Sequence, residues 1–557
     1  MSRVQEAIPA ASEPNAAAKQ LYVPALFFAA CLSAQLYLVF FKSFNWDEFL
    51  HYNFVYQLNA GTLNLPFQVL HLRTLWWVPQ MSEDIVGQML AARVFIWVIH
   101  LLTLLMIYGL ARNFTNVANS LFAAFAYLTA GYVFTQAFSI RSDPFVTATL
   151  MGALFLMASG KLSLLKALVI GALIGLAGLM TLKAVLYAPC FAGLAWLRLQ
   201  ETQRKAEFLG KLTVILIAAM AIFGALYLYY GSANVAEVGR PAERTSELSF
   251  YLRWFTIGGP HASYIGGAAI FCLPFLVCLV VAPFAWKRAG LKPDSKLALL
   301  GFVAPLASLL FYKNTFPYFF VFILAPAAVA IAPALGLARD RYGNAFLSLA
   351  LSLIPLALAV LEPRDVLVRQ RALIDYVHRE FPEKPGYLDY SYMIVDYPRI
   401  LPFLTSGNGA RLYIEQGDAI VGREIDRGNV PFIIANKEEV LAALEDRPVP
   451  GIFLPVDLAA MRGNYVRQWD VLWREGRFIP AGTGTFEFQL RRGGNFVLDG
   501  NDLVIDGQAL SHGTSITLSK GHHVVGGERN APSTLWRGGR LPSAPPNVPM
   551  GEMFTKF

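Results

Sequence analysis

Charge is scarce in this sequence. Only 15% of its 557 residues are Asp, Glu, Lys or Arg, whereas soluble domains carry about a quarter. Hydrophobic residues make up 55%. A soluble protein of this size has no use for so many long apolar runs, so the excess points to the bilayer. Cysteine is scarce too. Cys31, Cys190, Cys272 and Cys278 are the only four, and all fall inside apolar runs. That implies no disulfide framework, and no Cys/His spacing matches a zinc site. The cysteines read as small apolar packing residues.

The net charge of +8 does not point to nucleic acid, because Lys and Arg sit in short loops between apolar runs. The runs fall near 21–41, 92–111, 117–138, 144–159, 167–181, 184–198, 211–230, 264–285, 297–311, 316–338 and 344–361, about eleven helices by the length a bilayer needs. Basic residues group at Arg198, Arg204, Lys205 and Lys211, at Lys287, Arg288, Lys292 and Lys296, and at Arg339 and Arg341. The alternate loops are longer in total and hold fewer: Lys42, Arg73, Arg141, Lys183, Arg240, Arg244, Arg253 and Lys313. By the positive-inside rule the N-terminus is cytoplasmic, and an odd number of spans puts the C-terminal part outside, in the periplasm of a Gram-negative cell. The run at Leu21 to Phe41 is longer than a signal-peptide core and lacks a clear cleavage context, so it reads as a retained first helix.

The sequence therefore predicts a polytopic α-helical membrane protein with a C-terminal soluble part. Residues 1–20 form a polar, Ala-rich cytoplasmic terminus. Residues 21–362 form the transmembrane domain, with long outer loops at about 42–91 and 231–263. The aromatic content of the first loop, with Trp46, Trp76 and Trp77, predicts helices lying in the membrane interface. After Glu362 charges become frequent. Residues 363–480 mix α and β, with a helix over Val366–Glu380 and a buried strand over Val430–Ala435. Residues 481–541 show short alternating runs broken by Gly, Asn and Asp: Phe486–Leu490, Asn495–Leu498, Leu503–Ile505, Ser515–Leu518 and His522–Val525. This is the pattern of a small antiparallel β-sandwich. The Pro-rich tail, 542–557, reads as flexible.

Four places carry chemistry. The first is Asn45-Trp46-Asp47-Glu48-Phe49-Leu50-His51, two carboxylates among aromatics at the outer end of the first span. It reads either as a functional pair or as an interfacial pair that caps a helix. Glu48 and His51 have i, i+3 spacing for a shared metal, but no second such motif accompanies them, and no metal or other cofactor is assigned. The second is Ser139-Ile140-Arg141-Ser142-Asp143-Pro144, either a local ion pair that fixes a turn or charge lining the same cavity, with Pro144 starting a helix. The third is Lys183 in Leu182-Lys183-Ala184. The fourth is Lys313-Asn314-Thr315-Phe316-Pro317-Tyr318. Both lysines have snorkelling as the plain alternative. On the deduced topology all four lie on the outer side. A cavity with carboxylates, cations and aromatics suits an anionic, partly lipidic substrate whose phosphate is bound by Arg and Lys.

These motifs, in this order over residues 20–360, resemble the GT-C class of integral membrane glycosyltransferases, especially the family containing the lipid A aminoarabinose transferase and the protein O-mannosyltransferases. The carriers are Trp46-Asp47-Glu48, Arg141-Ser142-Asp143, Leu182-Lys183, and Lys313–Tyr318 followed by Pro326. The runs Leu503–Gly507 and Leu518–His522 look similar to small β-sandwiches appended to some bacterial membrane glycosyltransferases. The resemblance implies transfer of a sugar from a polyprenyl-phosphate donor to a hydroxyl of a lipid, glycan or protein acceptor on the outer face. It implies Asp47 as the base and Glu48 as its companion. Arg141, Lys183, Arg253 and Lys313 become candidates for the phosphate, and Asp143, Tyr318 and His51 candidates for lining the substrate site. The chemistry agrees. A glycosidase needs a second carboxylic acid for its leaving oxygen. A sugar phosphate already carries a good leaving group, so one base and a few cations suffice, with inversion by single displacement. The competing classes are a lipid or polysaccharide flippase, which calls for internal repeats and charge near the midplane, and a membrane-anchored binding protein, for which one span is enough.

Overall fold

The computed structural model describes residues 14–63, 65, 67–232, 262–398, 400–401, 407–448 and 451–555. The chain forms two compact units. A helical unit takes the chain up to Lys42 and then Gln57–Glu362. A C-terminal unit takes Ser43–Tyr56 together with Pro363–Lys556. The segment between the first two long apolar helices is thus divided. Its opening segment belongs with the C-terminal unit, and the remainder belongs with the helices.

In chain order the helical unit contains α1 (Pro14–Phe41), α3 (Ile85–Ala111), α4 (Val117–Thr129), α5 (Gly131–Gln136), α6 (Ser142–Ala158), α7 (Leu164–Met180), α8 (Ala188–Glu201), α9 (Lys205–Ser232), α10 (Ala262–Phe271), α11 (Leu273–Arg288), α12 (Pro293–Val303) and α13 (Phe319–Leu361). α2 (Trp46–Asn59) lies between α1 and α3 in the chain. Among the described residues six helices are long and apolar enough to cross a membrane, and three shorter apolar ones accompany them. A further pair, Ser263–Phe271 and Leu273–Arg288, is bent by 85° at Cys272. The 43-residue α13 is two limbs, because Gly343 adopts φ 84° and breaks the helical path. The half-buried Arg339 and the exposed Asp340 and Arg341 mark that bend.

Burial separates the helices. The apolar window of α13 is 94% buried within the protein, whereas that of Lys205–Tyr230 is only 11% buried. α13 is therefore the central post, with α1, α4 and α11 packed on it. α9 presents Leu216, Ile217, Met220 and Leu228 outward as a lipid-facing surface.

Between apolar helices in lipid, close backbone approach does the work that hydrophobic burial does in water. α7 meets α9 through Gly171 and Gly175. A Cβ at Gly171 would lie 2.5 Å from the Ile215 carbonyl oxygen, and one at Gly175 would lie 2.6 Å from that of Ala219. Neither backbone atom can yield. Gly175→Leu should push α7 off α9 and lower the thermal unfolding temperature of the detergent-purified protein, whereas Gly210→Ala, where a Cβ meets nothing, should not.

In the C-terminal unit α14 (Asp365–Glu380) precedes α15 (Gly407–Gln416), α16 (Ile420–Arg427), β1 (Phe432–Ile434), α17 (Glu438–Leu444) and α18 (Pro455–Arg462). Nine strands follow: β2 (Tyr465–Trp469), β3 (Leu472–Ile479), β4 (Phe486–Leu490), β5 (Gly494–Asp499), β6 (Leu503–Ile505), β7 (Gln508–Leu510), β8 (Ser515–Leu518), β9 (Gly521–Gly526) and β10 (Ser533–Arg537). One sheet runs β1-β3-β10-β5-β8, with β2 also paired to β3, and the other runs β4-β9-β6-β7. Both sheets contribute to one apolar core, including Phe488, Val525, Phe496 and Leu535, so they form a sandwich. β3 is the hinge of the architecture. Its first half pairs with β1 and β2, and its second half with β10.

An ion cluster pins α14. His378 Nδ1 lies 2.8 Å from the Ile374 carbonyl and Nε2 lies 3.0 Å from Asp396. Both partners accept, so the imidazolium form can donate from both ring nitrogens. Although burial works against that charge, hydrogen bonding to Asp396 raises the imidazole above its ordinary 6.5. Burial likewise opposes the Asp396 charge, yet His378 and Lys384 hold that carboxyl below 3.8. A raised imidazole stabilises the fold below 6.5 and that contribution fades as pH rises through its folded value. A depressed carboxyl stabilises above 3.8 and its contribution fades as pH falls through its folded value. His378→Gln should therefore cost the most stability between those two ordinary values. Thermal unfolding of both proteins across pH 4 to 9 checks this.

Candidate functional site

The helical unit gathers four of the anticipated residues. α6 begins at Ser142, so Asp143 sits in its first turn, where a carboxylate meets the helix's positive end. Asp143 is 0% exposed. Lys183 reaches it by a direct ion pair from a short 3-10 segment, Leu182–Tyr187, that follows α7. Thr181 shapes that approach by accepting a hydrogen bond from the Lys183 amide at 3.3 Å. Arg141 places Nε 3.7 Å from the other Asp143 oxygen. Its guanidinium lies 3.3 Å above the Tyr318 ring centre. Lys183 Nζ stands 5.8 Å from the same ring and 5.6 Å from that of Phe319. Arg141, Lys183 and Tyr318 are all buried. Among the contacts of the described residues, two cations face one carboxylate here.

The plain alternatives describe part of this arrangement. The Arg141–Asp143 pair is local, but Asp143 also holds Lys183, forty positions along the chain. A snorkelling lysine ends in water, whereas Lys183 ends on a buried carboxylate. Lys313 differs: it is half-buried and, among the described residues, pairs with no carboxylate.

The wall behind the cluster is built from tyrosines. Pro326 has no N–H, so the Phe322 carbonyl one turn earlier in α13 loses its helical donor. The Tyr187 hydroxyl supplies a replacement at 2.7 Å. The Tyr127 hydroxyl donates to the neighbouring Val321 carbonyl, also at 2.7 Å. These bonds fix the start of α13, and Tyr318 stands just before it. The Tyr318 hydroxyl in turn donates to Asn314 at 3.2 Å. His71 joins this set. It is fully buried in Leu70–Leu75, within a loop tied to the end of α7 by Gln68 N–H to the Leu179 carbonyl at 2.9 Å. Burial, with Arg141 and Lys183 adding to it, pushes the imidazole down to about 3, so it is neutral. Sequence reasoning missed His71. A histidine amid apolar residues between two long apolar runs was the signal available.

The C-terminal unit holds the other acidic motif. Asn45 precedes the first turn of α2 and accepts from Glu48 N–H at 3.0 Å, while Glu48 Oε1 accepts from Asn45 N–H at 3.2 Å. This reciprocal pair is a capping box. Glu48 is 1% exposed and serves it, whereas Asp47, between the two, is half-buried. Trp46 packs edge-on against Tyr390 and Phe554, with ring centres at 6.5 and 6.2 Å. Asn53 donates to the Val395 carbonyl at 2.8 Å, and Gln370 brackets the Phe44 backbone at 3.0 and 2.7 Å. Burial and the charges of Asp47 and Glu439 push the Tyr390 phenol up to about 12. Lys437 Nζ sits 4.0 Å from the centre of that ring. No local pattern marked Tyr390 or Lys437. His51 packs near Phe54, its neighbour on α2. Among the described residues no three His, Cys, Asp or Glu side chains cluster as metal ligands. Arg253 lies outside the described residues.

No family model and no curated protein matches the sequence. Solved structures do match the fold. The chain superposes on ArnT from Cupriavidus metallidurans bound to undecaprenyl phosphate with a TM-score of 0.53 and 13% identity, covering 76% of this chain and 95% of that one. The apo state of the same ArnT gives a TM-score of 0.52 and 14% identity, over 77% and 94% of the two chains. The archaeal oligosaccharyltransferase AglB from Archaeoglobus fulgidus, in complex with an inhibitory peptide and a dolichol-phosphate, gives 0.53 at 10% identity over 91% of this chain and 94% of that one. At these identities the likeness is one of fold. The GT-C resemblance holds at that level, and the chain is a polytopic helical protein with a β-containing C-terminal region.

The Asp143–Lys183 pair yields a test. Lys183→Met leaves the buried carboxylate only its more distant Arg141 contact and should cost up to about 3–5 kcal/mol. Adding Asp143→Asn should recover part of that loss, since it removes the buried charge but also the Arg141 partner, as read by thermal unfolding in detergent. A small loss in the single variant would show that Asp143 does not depend on Lys183.

Proposed function

We propose that this protein is a membrane glycosyltransferase that moves a sugar from a polyprenyl-phosphate donor to an acceptor hydroxyl of a lipid, glycan or protein. In this reading it is an inner-membrane protein, with its N-terminus cytoplasmic and transfer on the outer face. The observation that carries the reading is the buried Arg141–Asp143–Lys183–Tyr318 cluster, two cations and an aromatic gathered at one place, in a fold shared with proteins solved with undecaprenyl phosphate and dolichol-phosphate. Arg141 and Lys183 meet the donor phosphate, and half-buried Lys313 adds a third cation. Arg253 keeps only the support of its loop position.

The step balances with these groups. Asp47 accepts the proton of the acceptor hydroxyl. The acceptor oxygen forms a bond to the anomeric carbon from the face opposite the phosphate. The bond from that carbon to the phosphate oxygen breaks, and its electron pair leaves on the lipid phosphate. Single displacement inverts the anomeric centre. The cations stabilise charge that grows on the phosphate during departure. Asp143 holds Lys183 and Arg141 at their spacing, Tyr318 carries the Arg141 guanidinium, and Glu48 positions Asp47 by fixing the first turn of α2. His51, on the second turn of α2, is left to acceptor contact.

A flippase is the competing reading. It calls for ionisable groups near the midplane. Asp47 instead lies beyond the end of α1, on a helix whose first turns belong with the C-terminal unit, which favours transfer.

Asp47→Asn should lower transfer by about 10²–10⁴-fold, the range expected for loss of a general base. The capping box does not use Asp47, so expression and membrane insertion should be unchanged. The assay is sugar transfer in reconstituted vesicles supplied with a panel of polyprenyl-phosphate sugars. Transfer at the wild-type rate would remove Asp47 from the role of base.

A further inference from the structure

The C-terminal unit contains a cavity of about 420 Å³ where β3 passes from one half of that unit to the other. Its volume falls within the range of small-ligand sites. Arg474 and Glu475 of β3, Arg492 between β4 and β5, Arg537 and Arg540 at the end of β10, and Glu380 at the end of α14 line it.

Two of its carboxylates are engaged. Glu475 takes Arg492 at 2.6 Å and Arg537 at 3.2 Å. Glu380 takes Arg474 at 3.3 Å and also accepts from the Ser543 amide at 3.1 Å. Arg540 differs from the other three. It donates to the carbonyls of Arg379 and Glu380, at 3.3 and 3.2 Å, and pairs with no carboxylate among the described residues. A second donor is unmet: the buried Arg492 Nε has no hydrogen-bond partner among the described residues. A third carboxylate, Glu383, is exposed and pairs with none of the arginines. Burial pulls the Arg474 and Arg537 guanidiniums below the ordinary arginine value, against the attraction of Glu380 and Glu475. The nearby charges of Arg540 and Arg492 add to that pull.

Four guanidiniums against three carboxylates leave one net positive charge. A polyanion would meet the carboxylates as repulsion. A singly charged polyol uses both kinds of group: its anion takes the guanidinium forks and its hydroxyls donate to the glutamates. Pro382 and Pro431 on the wall offer apolar surface to the C–H face of a sugar ring. We propose that this cavity binds an acidic saccharide, a sugar unit carrying one anionic group, through Arg540 and Arg492. The inference goes beyond the transfer reaction, since it concerns residues with no part in the proposed step.

The test is calorimetric titration of the full-length protein in nanodiscs with a glucuronate-containing disaccharide, the matching neutral disaccharide and inorganic phosphate. The uronate should bind, with the neutral sugar and phosphate at least about tenfold weaker, as expected when charge-assisted hydrogen bonds are lost. Arg540→Ala strands no carboxylate partner, so it should keep the wild-type unfolding temperature while weakening the uronate about tenfold. Glu383→Gln, at an exposed position, should tighten it. Equal affinity for the neutral sugar, stronger binding of phosphate than of the uronate, or unchanged affinity in both variants would overturn the proposal. Asp47→Asn should leave this binding intact, so loss of transfer and loss of this site are read separately.

Discussion

A carboxylate with no solvent exposure stays charged only if cations reach it, and Asp143 imposes that demand on the helical unit. Lys183 and Arg141 answer it, and their positions then dictate much else. Lys183 requires α7 to stop at Met180 and the chain to turn through a 3-10 segment. Arg141 requires an extended residue before α6, with φ near −146°. Its guanidinium then needs a face to rest on, which Tyr318 supplies. Tyr318 is held because α13 starts where it does, and that start is secured by Tyr187 and Tyr127 on carbonyls next to the gap left by Pro326. The cluster is a chain of dependencies rather than a set of charges that happen to be near each other.

The same cluster brings two cations to one carboxylate. Lys183 makes the direct contact with Asp143, and Arg141 stands farther off with its guanidinium on the Tyr318 ring. A neutral His71 beside them adds no charge. In the proposed reaction the planar fork of arginine and the point charge of lysine are two complementary ways to hold a phosphate.

The sequence disclosed these features unevenly, for physical reasons. Apolar length reports helices directly, so the runs near 144–159 and 167–181 correspond to Ser142–Ala158 and Leu164–Met180. Strands with clean alternation between turn residues were equally plain, as at Phe486–Leu490 and Leu503–Ile505. β3 was not, because Leu-Trp-Arg-Glu-Gly-Arg-Phe-Ile carries charges through its middle. Arg474 and Glu475 are buried against partners from α14, the β4–β5 turn and β10, which no local pattern records. The cation cluster was legible as separate intrusions of charge, but its pairing was not, since Lys183 and Asp143 are joined only by tertiary packing. Tyr390, Lys437 and the division of the segment between α1 and α3 between two units were hidden for the same reason.

The two adjacent carboxylates at the start of α2 show how local geometry separates residues that look alike in the sequence. A helix beginning at Trp46 makes Asn45 the cap and Glu48 the third helical residue, the one whose side chain folds back to complete a capping box. Asp47 falls between them and cannot make that bond. Its surroundings also differ. Tyr390, with its phenol pushed up to about 12, remains protonated at neutral pH and so is a hydrogen-bond donor rather than a second base. Lys437 lies against the face of that ring, adding a cation to the same side of the C-terminal unit. A carboxylate kept out of the capping pair is the one whose removal leaves the helix start intact, which is why the proposed base is Asp47 rather than Glu48. Glu48, whose carboxylate secures a helix end, is suited to holding Asp47 still.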